Sequence, residues 1–76
     1  MSATEDQFRA EITKFLSVNR WTKTRFGRTA MNDPNFVFRL YKGRGVSVRT
    51  VDRVRAFMDR YTREKYEREN AQRKAA

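Results

Sequence analysis

Thirteen arginines and five lysines stand against nine carboxylates in a chain of 76 residues, a formal charge of +9. A guanidinium presents a planar fork of donors that matches phosphate oxygens and the O6/N7 edge of guanine, whereas an ammonium is a less specific point charge. Side chains of this kind suit the capture of a polyanion, either nucleic acid or an anionic membrane surface. Bond-making chemistry has little material to work with. The chain has no Cys and no His, so the commonest zinc ligands, a thiol nucleophile and imidazole acid–base work are all missing. The carboxylates Glu5, Asp6, Glu11, Asp33, Asp52 and Asp59 show no pairing suited to general acid–base or metal chemistry. The expectation is a protein that is not an enzyme, with no catalytic residues, metal, cofactor or small-molecule ligand.

The charge is concentrated. Residues 1–18 carry Arg9 and Lys14 against Glu5, Asp6 and Glu11, while residues 19–50 carry eight basic side chains against Asp33 alone. From residue 61 onward the signs interleave, as on a solvated helix. A chain this short buries only about 60% of its unfolded surface, enough for a single domain with one modest core. The longest uncharged apolar runs, such as Phe36-Val37-Phe38, fall far below the ~18 residues of a membrane span, and Met1 to Arg9 lacks a signal-peptide pattern. These features lead to the expectation of a soluble, cytoplasmic, nucleoid-associated protein without a membrane partner.

Caps and apolar spacing divide the chain into four helices. Thr4-Glu5-Asp6-Gln7 reads as a capping box, followed by Phe8, Ile12, Phe15 and Leu16 on one face, and predicts helix 1 over about 5–18. Thr22 is the expected N-cap of helix 2, about 23–30, with Trp21 and Phe26 as a hydrophobic staple and Phe26, Gly27 and Ala30 facing inward. The small Gly27 and Ala30 would let another helix approach closely. Asn32-Asp33-Pro34 is a helix start, with Asp33 as cap and Pro34 in the first helical position, and predicts helix 3 over about 34–42, ending at Gly43. Ser47 caps helix 4, stapled by Val46 and Val51, with Val51, Val54, Met58 and Tyr61 inward and an end near Asn70. Arg60-Glu64, Arg63-Glu67, Lys65-Glu69 and Glu64-Arg68 have the spacing of supporting ion pairs. A rival reading makes Phe36–Tyr41 and Val46–Val51 a β-hairpin across Lys-Gly-Arg-Gly. The caps favour helices. The expected architecture is all-α, a compact four-helix helix-turn-helix domain over 1–60 with a long, partly exposed C-terminal helix whose residues 61–76 form a charged extension.

Two short helices joined by Met31-Asn32-Asp33, the second in the basic stretch, form a helix-turn-helix, a motif in which the second helix enters the DNA major groove. From Trp21 through Ala30 and from Val37 through Gly43 the sequence resembles the lambda-repressor/Cro-like (XRE-type) helix-turn-helix family. In that family a Leu-Ala pair, an apolar residue, an Ile or Val, an aromatic or Leu, and a Gly keep fixed spacing. Phe26-Gly27, Ala30, Val37, Leu40 and Gly43 fill those slots without a gap. The Phe-Gly-Arg-x-Ala and Asp-Pro-x-Phe-Val pieces also resemble small helix-turn-helix proteins of alphaproteobacteria and their mobile elements. The resemblance covers about half the chain. Gly27 replaces the family's usual Ala, Phe36 and Phe38 stand where small or polar residues are usual, and a fifth helix has no obvious equivalent.

The resemblance puts Asn35 and Arg39 on the base-reading face, where Asn suits adenine and Arg suits guanine, and Phe38 reads either as a contact to a thymine methyl or as packing at the edge of the core. Phe36, Val37, Leu40 and Trp21 belong to the core. The expected phosphate set is Thr22 and Lys23 at the start of helix 2, Arg25 and Arg28 on its outer turns, and Lys42 and Arg44 around Gly43. The expected function is that of a sequence-specific regulator of transcription that binds double-stranded DNA. It would be a repressor occupying an inverted-repeat operator as a homodimer, since one short helix reads too few base pairs. The alternatives are a DNA-coating protein that does not read bases, or a module for RNA or an acidic protein.

Overall fold

The computed structural model describes residues 3–75, and side chains over 5–71. Four helices follow one another: α1 (Ala3–Asn19), α2 (Lys23–Met31), α3 (Phe36–Tyr41) and α4 (Val48–Ala75). There is no strand among the described residues, so the β-hairpin reading of 36–51 does not hold. The Asp33 and Ser47 turn bonds begin helices where local propensity alone allows strands.

The caps show how the sequence places these boundaries. The Thr22 hydroxyl accepts the Arg25 N–H at 3.1 Å, and the Ser47 hydroxyl accepts the Thr50 N–H at 3.1 Å, as expected for both. α1 is described from Ala3, so Thr4 lies within the helix, and the capping box expected from its side chain falls outside the described side chains. Helix 3 also starts later than expected, at Phe36. Asp33 and Pro34 form a turn ahead of it, in which the Phe36 N–H bonds the Asp33 carbonyl at 3.2 Å. Asp and Pro favour the first and second positions of a type I turn, and Asn35 at φ −98°, ψ 2° has the geometry of the third. The helix therefore begins where that turn ends. Helix 4 runs beyond Asn70 to Ala75, since no Gly or Pro interrupts it.

Two helix ends use left-handed backbone at residues other than glycine. Arg20 (φ 57°) follows α1, and the Trp21 N–H reaches back to the Leu16 carbonyl at 3.0 Å. Asn32 (φ 55°) follows α2. Its N–H bonds Arg28 O at 3.0 Å, and the next N–H, of Asp33, bonds Gly27 O at 3.1 Å. Asn tolerates this conformation well and Arg does not.

Phe8, Ile12, Phe26, Val37, Leu40 and Val54 are the most deeply buried side chains, drawn from all four helices. Helices α1 and α4 run in the same direction, because the Glu11 carboxylate accepts from Arg55 Nε at 2.9 Å and Asn19 Oδ1 accepts from Lys65 Nζ at 3.1 Å. Between these ties lies an aromatic cluster. Phe15 meets Trp21, Phe26 and Tyr61 edge-on with ring centres 5.3, 5.3 and 5.4 Å apart, and Phe57 lies against Trp21 and Phe26 at 6.1 and 5.8 Å. Edge-to-face pairs of this kind contribute about 0.5–1.5 kcal/mol each beyond their buried area.

The α1–α4 contacts continue beyond residue 60 through Tyr61 and Lys65. Among the described residues none of the four anticipated pairs along 60–69 is closed, and Lys65 turns to Asn19 instead. The radius of gyration, 14.0 Å, exceeds the roughly 11 Å of a compact chain of this length. The long axis of 48 Å accommodates the 28 residues of α4, about 42 Å of helix at 1.5 Å per residue.

Candidate nucleic-acid interface

The α2–turn–α3 unit is held by backbone contact at one position. Gly27 is buried, its carbonyl accepts the Asp33 N–H, and a Cβ added to it would collide with the Asp33 carbonyl oxygen and lie 3.4 Å from Phe36 Cβ. The small residue expected to let another helix approach instead receives the backbone of the Asp33 turn, with Phe36 at the start of α3 next to it. With the turn pressed onto α2, Phe36, Val37 and Leu40 of α3 face the core.

At 100° per residue the opposite face of α3 carries Phe38 and Lys42, with Asn35 and Arg39 along its edge. All four are exposed. Asn35 is the residue that enters the helix and not part of its first turn; its carbonyl accepts the Arg39 N–H at 3.1 Å and its side chain makes no cap bond. Phe38 is 42% exposed, large for an aromatic ring, and is not a core residue. The Lys23 ammonium lies 5.6 Å from its ring centre and 4.9 Å from that of Tyr41. The Tyr41 hydroxyl in turn shares a hydrogen bond of 2.6 Å with Thr13 Oγ1, tying α3 to α1. This chain of contacts joins the start of α2, the outer face of α3 and the middle of α1.

Arg39 is not free. Its Nη2 pairs with Asp33 Oδ2, while Asp33 Oδ1 accepts the Asn35 N–H at 3.0 Å. The Arg39 side chain nonetheless remains 46% exposed. A separation of six residues is not a helical pair spacing, so periodicity gives no hint of this contact. It requires the turn at Pro34 to bring the carboxylate back alongside the helix.

The phosphate candidates distribute around this face. The Thr22 hydroxyl is engaged as a cap, which leaves its own proton to donate. The Arg25 guanidinium lies 4.2 Å over the Trp21 ring, which orients it across the start of α2. Arg28 occupies the last turn of α2, and Lys42 caps α3 with its N–H near the Arg39 and Phe38 carbonyls. Arg44 sits in the loop, its N–H 3.3 Å from the Arg39 carbonyl. It also lines a shallow recess of about 320 Å³ with Asp33, Phe36, Arg39, Ser47 and Thr50. Thr22, Lys23, Arg25, Arg28, Lys42 and Arg44 are all exposed, and Asp33 is the one acid between residues 19 and 50. At physiological salt fields persist over about 8 Å, so such neighbours reinforce one another.

A larger groove of about 710 Å³ runs between α1 and α4, over Phe15 and Met58, with Glu11, Lys14, Arg55 and Asp59 at its edges. No group of three or more potential metal ligands occurs among the described residues, and no helix of the described chain is long and apolar enough to cross a membrane. Contacts that sequence reasoning missed are Asp33 with Arg39, Thr13 with Tyr41, and Phe57 in the aromatic cluster. Only Phe57 had a sequence signal, since it neighbours Met58 and widens the inward stripe of α4. No family model matches the chain, and no curated protein and no solved structure matches it.

Proposed function

We propose that the protein is a sequence-specific regulator that binds double-stranded DNA, a repressor associated with the nucleoid and acting as a homodimer on an inverted-repeat operator. One observation carries the reading. The buried Gly27 seats the Asp33 turn on α2, and the resulting unit presents Asn35, Phe38, Arg39 and Lys42 together, flanked by exposed Lys23, Arg25, Arg28 and Arg44. A helix face of that width fits the major groove, where Arg and Asn distinguish base edges, while the flanking cations meet phosphates. Phe38 supports the same reading, because an exposed ring on this face suits a thymine methyl. A single six-residue helix reads few base pairs, which is the reason for a two-fold partner and half-sites about one DNA turn apart.

A second reading draws on the Asp33–Arg39 pair. If that pair holds the guanidinium turned away from the base edges, the strongest base reader is withdrawn and the remaining cations bind any duplex, as an architectural protein does.

The test is selection of fragmented genomic DNA by the purified protein at about 0.15 M salt, where non-specific contacts are weakened. Recovery of few loci sharing an inverted repeat is the expected outcome. Motif-free recovery would support the architectural reading, and no recovery would redirect attention to RNA or an acidic protein. Arg39→Ala is expected to lower discrimination at one base pair by roughly 1–3 kcal/mol, while Lys23→Ala weakens all duplexes alike.

A further inference from the structure

Asp33 is an unusual residue to find on a cationic face. A carboxylate there repels phosphate and lowers affinity for every duplex, yet both of its oxygens are committed within the unit that would meet DNA. Oδ1 accepts the Asn35 N–H at 3.0 Å, and Oδ2 pairs with Arg39 Nη2. The carboxylate is itself fixed, because the Asp33 N–H is bonded to Gly27 O at 3.1 Å and the Asp33 carbonyl accepts the Phe36 N–H at 3.2 Å. Arg39 is thereby tied, through one residue, to the backbone of both helices. Among the described residues Asp33 is the one side-chain partner of its guanidinium, so Nε and Nη1 remain available.

An untethered arginine on an exposed helix samples many rotamers and meets any phosphate in its span. One held at Nη2 by a fixed carboxylate keeps its remaining donors in a narrow range of directions, which is what recognition of a single base edge requires. Resting on the DNA-binding reading above, we infer that Asp33 is a specificity-determining positioning residue. Its carboxylate orients Arg39 toward the O6/N7 edge of a guanine and keeps the same guanidinium from serving as an indiscriminate phosphate contact. Asp33 touches no base in this arrangement and acts through Arg39.

The experiment uses the full chain and duplexes carrying a randomised segment, from which the wild type selects its preferred site. Binding to that site and to unselected duplex is then measured across a salt series for wild type, Asp33→Asn, Arg39→Ala and the double variant. Asn retains an oxygen for the Asn35 N–H, so the turn is preserved while the hold on Arg39 is lost. Asp33→Asn is expected to bind unselected duplex more tightly, with a log–log salt slope steeper by about 0.9, the value of one added phosphate contact. Its preference for the selected site is expected to fall about tenfold, within the range of one bidentate contact.

In the Arg39→Ala background the same substitution should leave preference unchanged. Arg39→Lys, which retains the charge and alters only an exposed side chain, provides a second variant and should lose preference to a similar degree. Preference retained within about twofold in Asp33→Asn, or an equal loss with and without Arg39, overturns the inference and leaves the regulator reading standing. A wild type that selects no motif overturns both.

Discussion

The two halves of this molecule are held together by different means. Around α2 and α3 the geometry depends on backbone contact: Gly27 against Asp33, a left-handed Asn32, the Thr22 cap and the Asp33 side-chain bond to the Asn35 N–H within the turn. Between α1 and α4 it depends on rings, with Phe15 at the centre of Trp21, Phe26, Phe57 and Tyr61. Backbone contacts define position closely but contribute little net energy each, about 0.5–1.5 kcal/mol per hydrogen bond. Aromatic burial contributes much more and constrains position less closely, since volume-conserving replacements are tolerated. The region proposed to meet DNA is therefore precise because it is built on turns, and it stays folded because the rings elsewhere supply the stability.

Phe15 is where the two halves should separate most clearly. Phe15→Ala is expected to cost about 3–5 kcal/mol by thermal or urea unfolding, since it removes the hub of the cluster. Whatever remains folded should retain its relative preference among duplexes, because no backbone contact of the turn involves Phe15. Gly27→Ala should behave oppositely. A Cβ there meets backbone that has no free rotamer with which to yield, and a loss of about 1–3 kcal/mol is expected from such overpacking. DNA affinity, measured on the folded fraction by anisotropy, should fall by more than stability explains. Equal behaviour of the two variants would dissolve the distinction.

Helix ends offer smaller changes of both signs. Thr22→Ala removes the bond to the Arg25 N–H and is expected to cost about 1 kcal/mol of stability, seen as a fall in urea midpoint with the slope unchanged. Arg20→Gly should do the reverse, raising stability by about 0.5 kcal/mol. At φ 57° an L side chain costs roughly 1–2 kcal/mol, partly offset by the larger conformational entropy of an unfolded glycine. A drop in melting temperature for Arg20→Gly would mean that the Arg20 side chain contributes a contact worth more than the strain it imposes.

Much of the architecture is legible in the sequence because it rests on local chemistry. Thr22 and Ser47 cap as their types and spacing require, and Phe8, Ile12, Phe26, Val37, Leu40 and Val54 lie inside as their 3–4 spacing requires. Helix 3 starts later than its cap signal implies because Asp-Pro satisfies both a helix N-terminus and a type I turn, and the two differ by only a few bonds. α1 is described from Ala3, ahead of Thr4, and the capping box read at Thr4 falls outside the described side chains. On the candidate interface, the exposure of Asn35, Phe38, Arg39 and Lys42 follows from periodicity once Phe36, Val37 and Leu40 are taken inward.

Caps, apolar periods and charge are local properties of a chain, and here they suffice for an all-α fold with its cationic surface between residues 19 and 50. Tertiary packing is what places Asp33 against Arg39, lays Lys23 over Phe38 and Tyr41, and runs α1 parallel to α4 through Glu11 with Arg55 and Asn19 with Lys65. Each of those contacts joins residues that helical spacing does not pair. They form only when a turn or a packed core has already brought distant segments within the reach of a side chain.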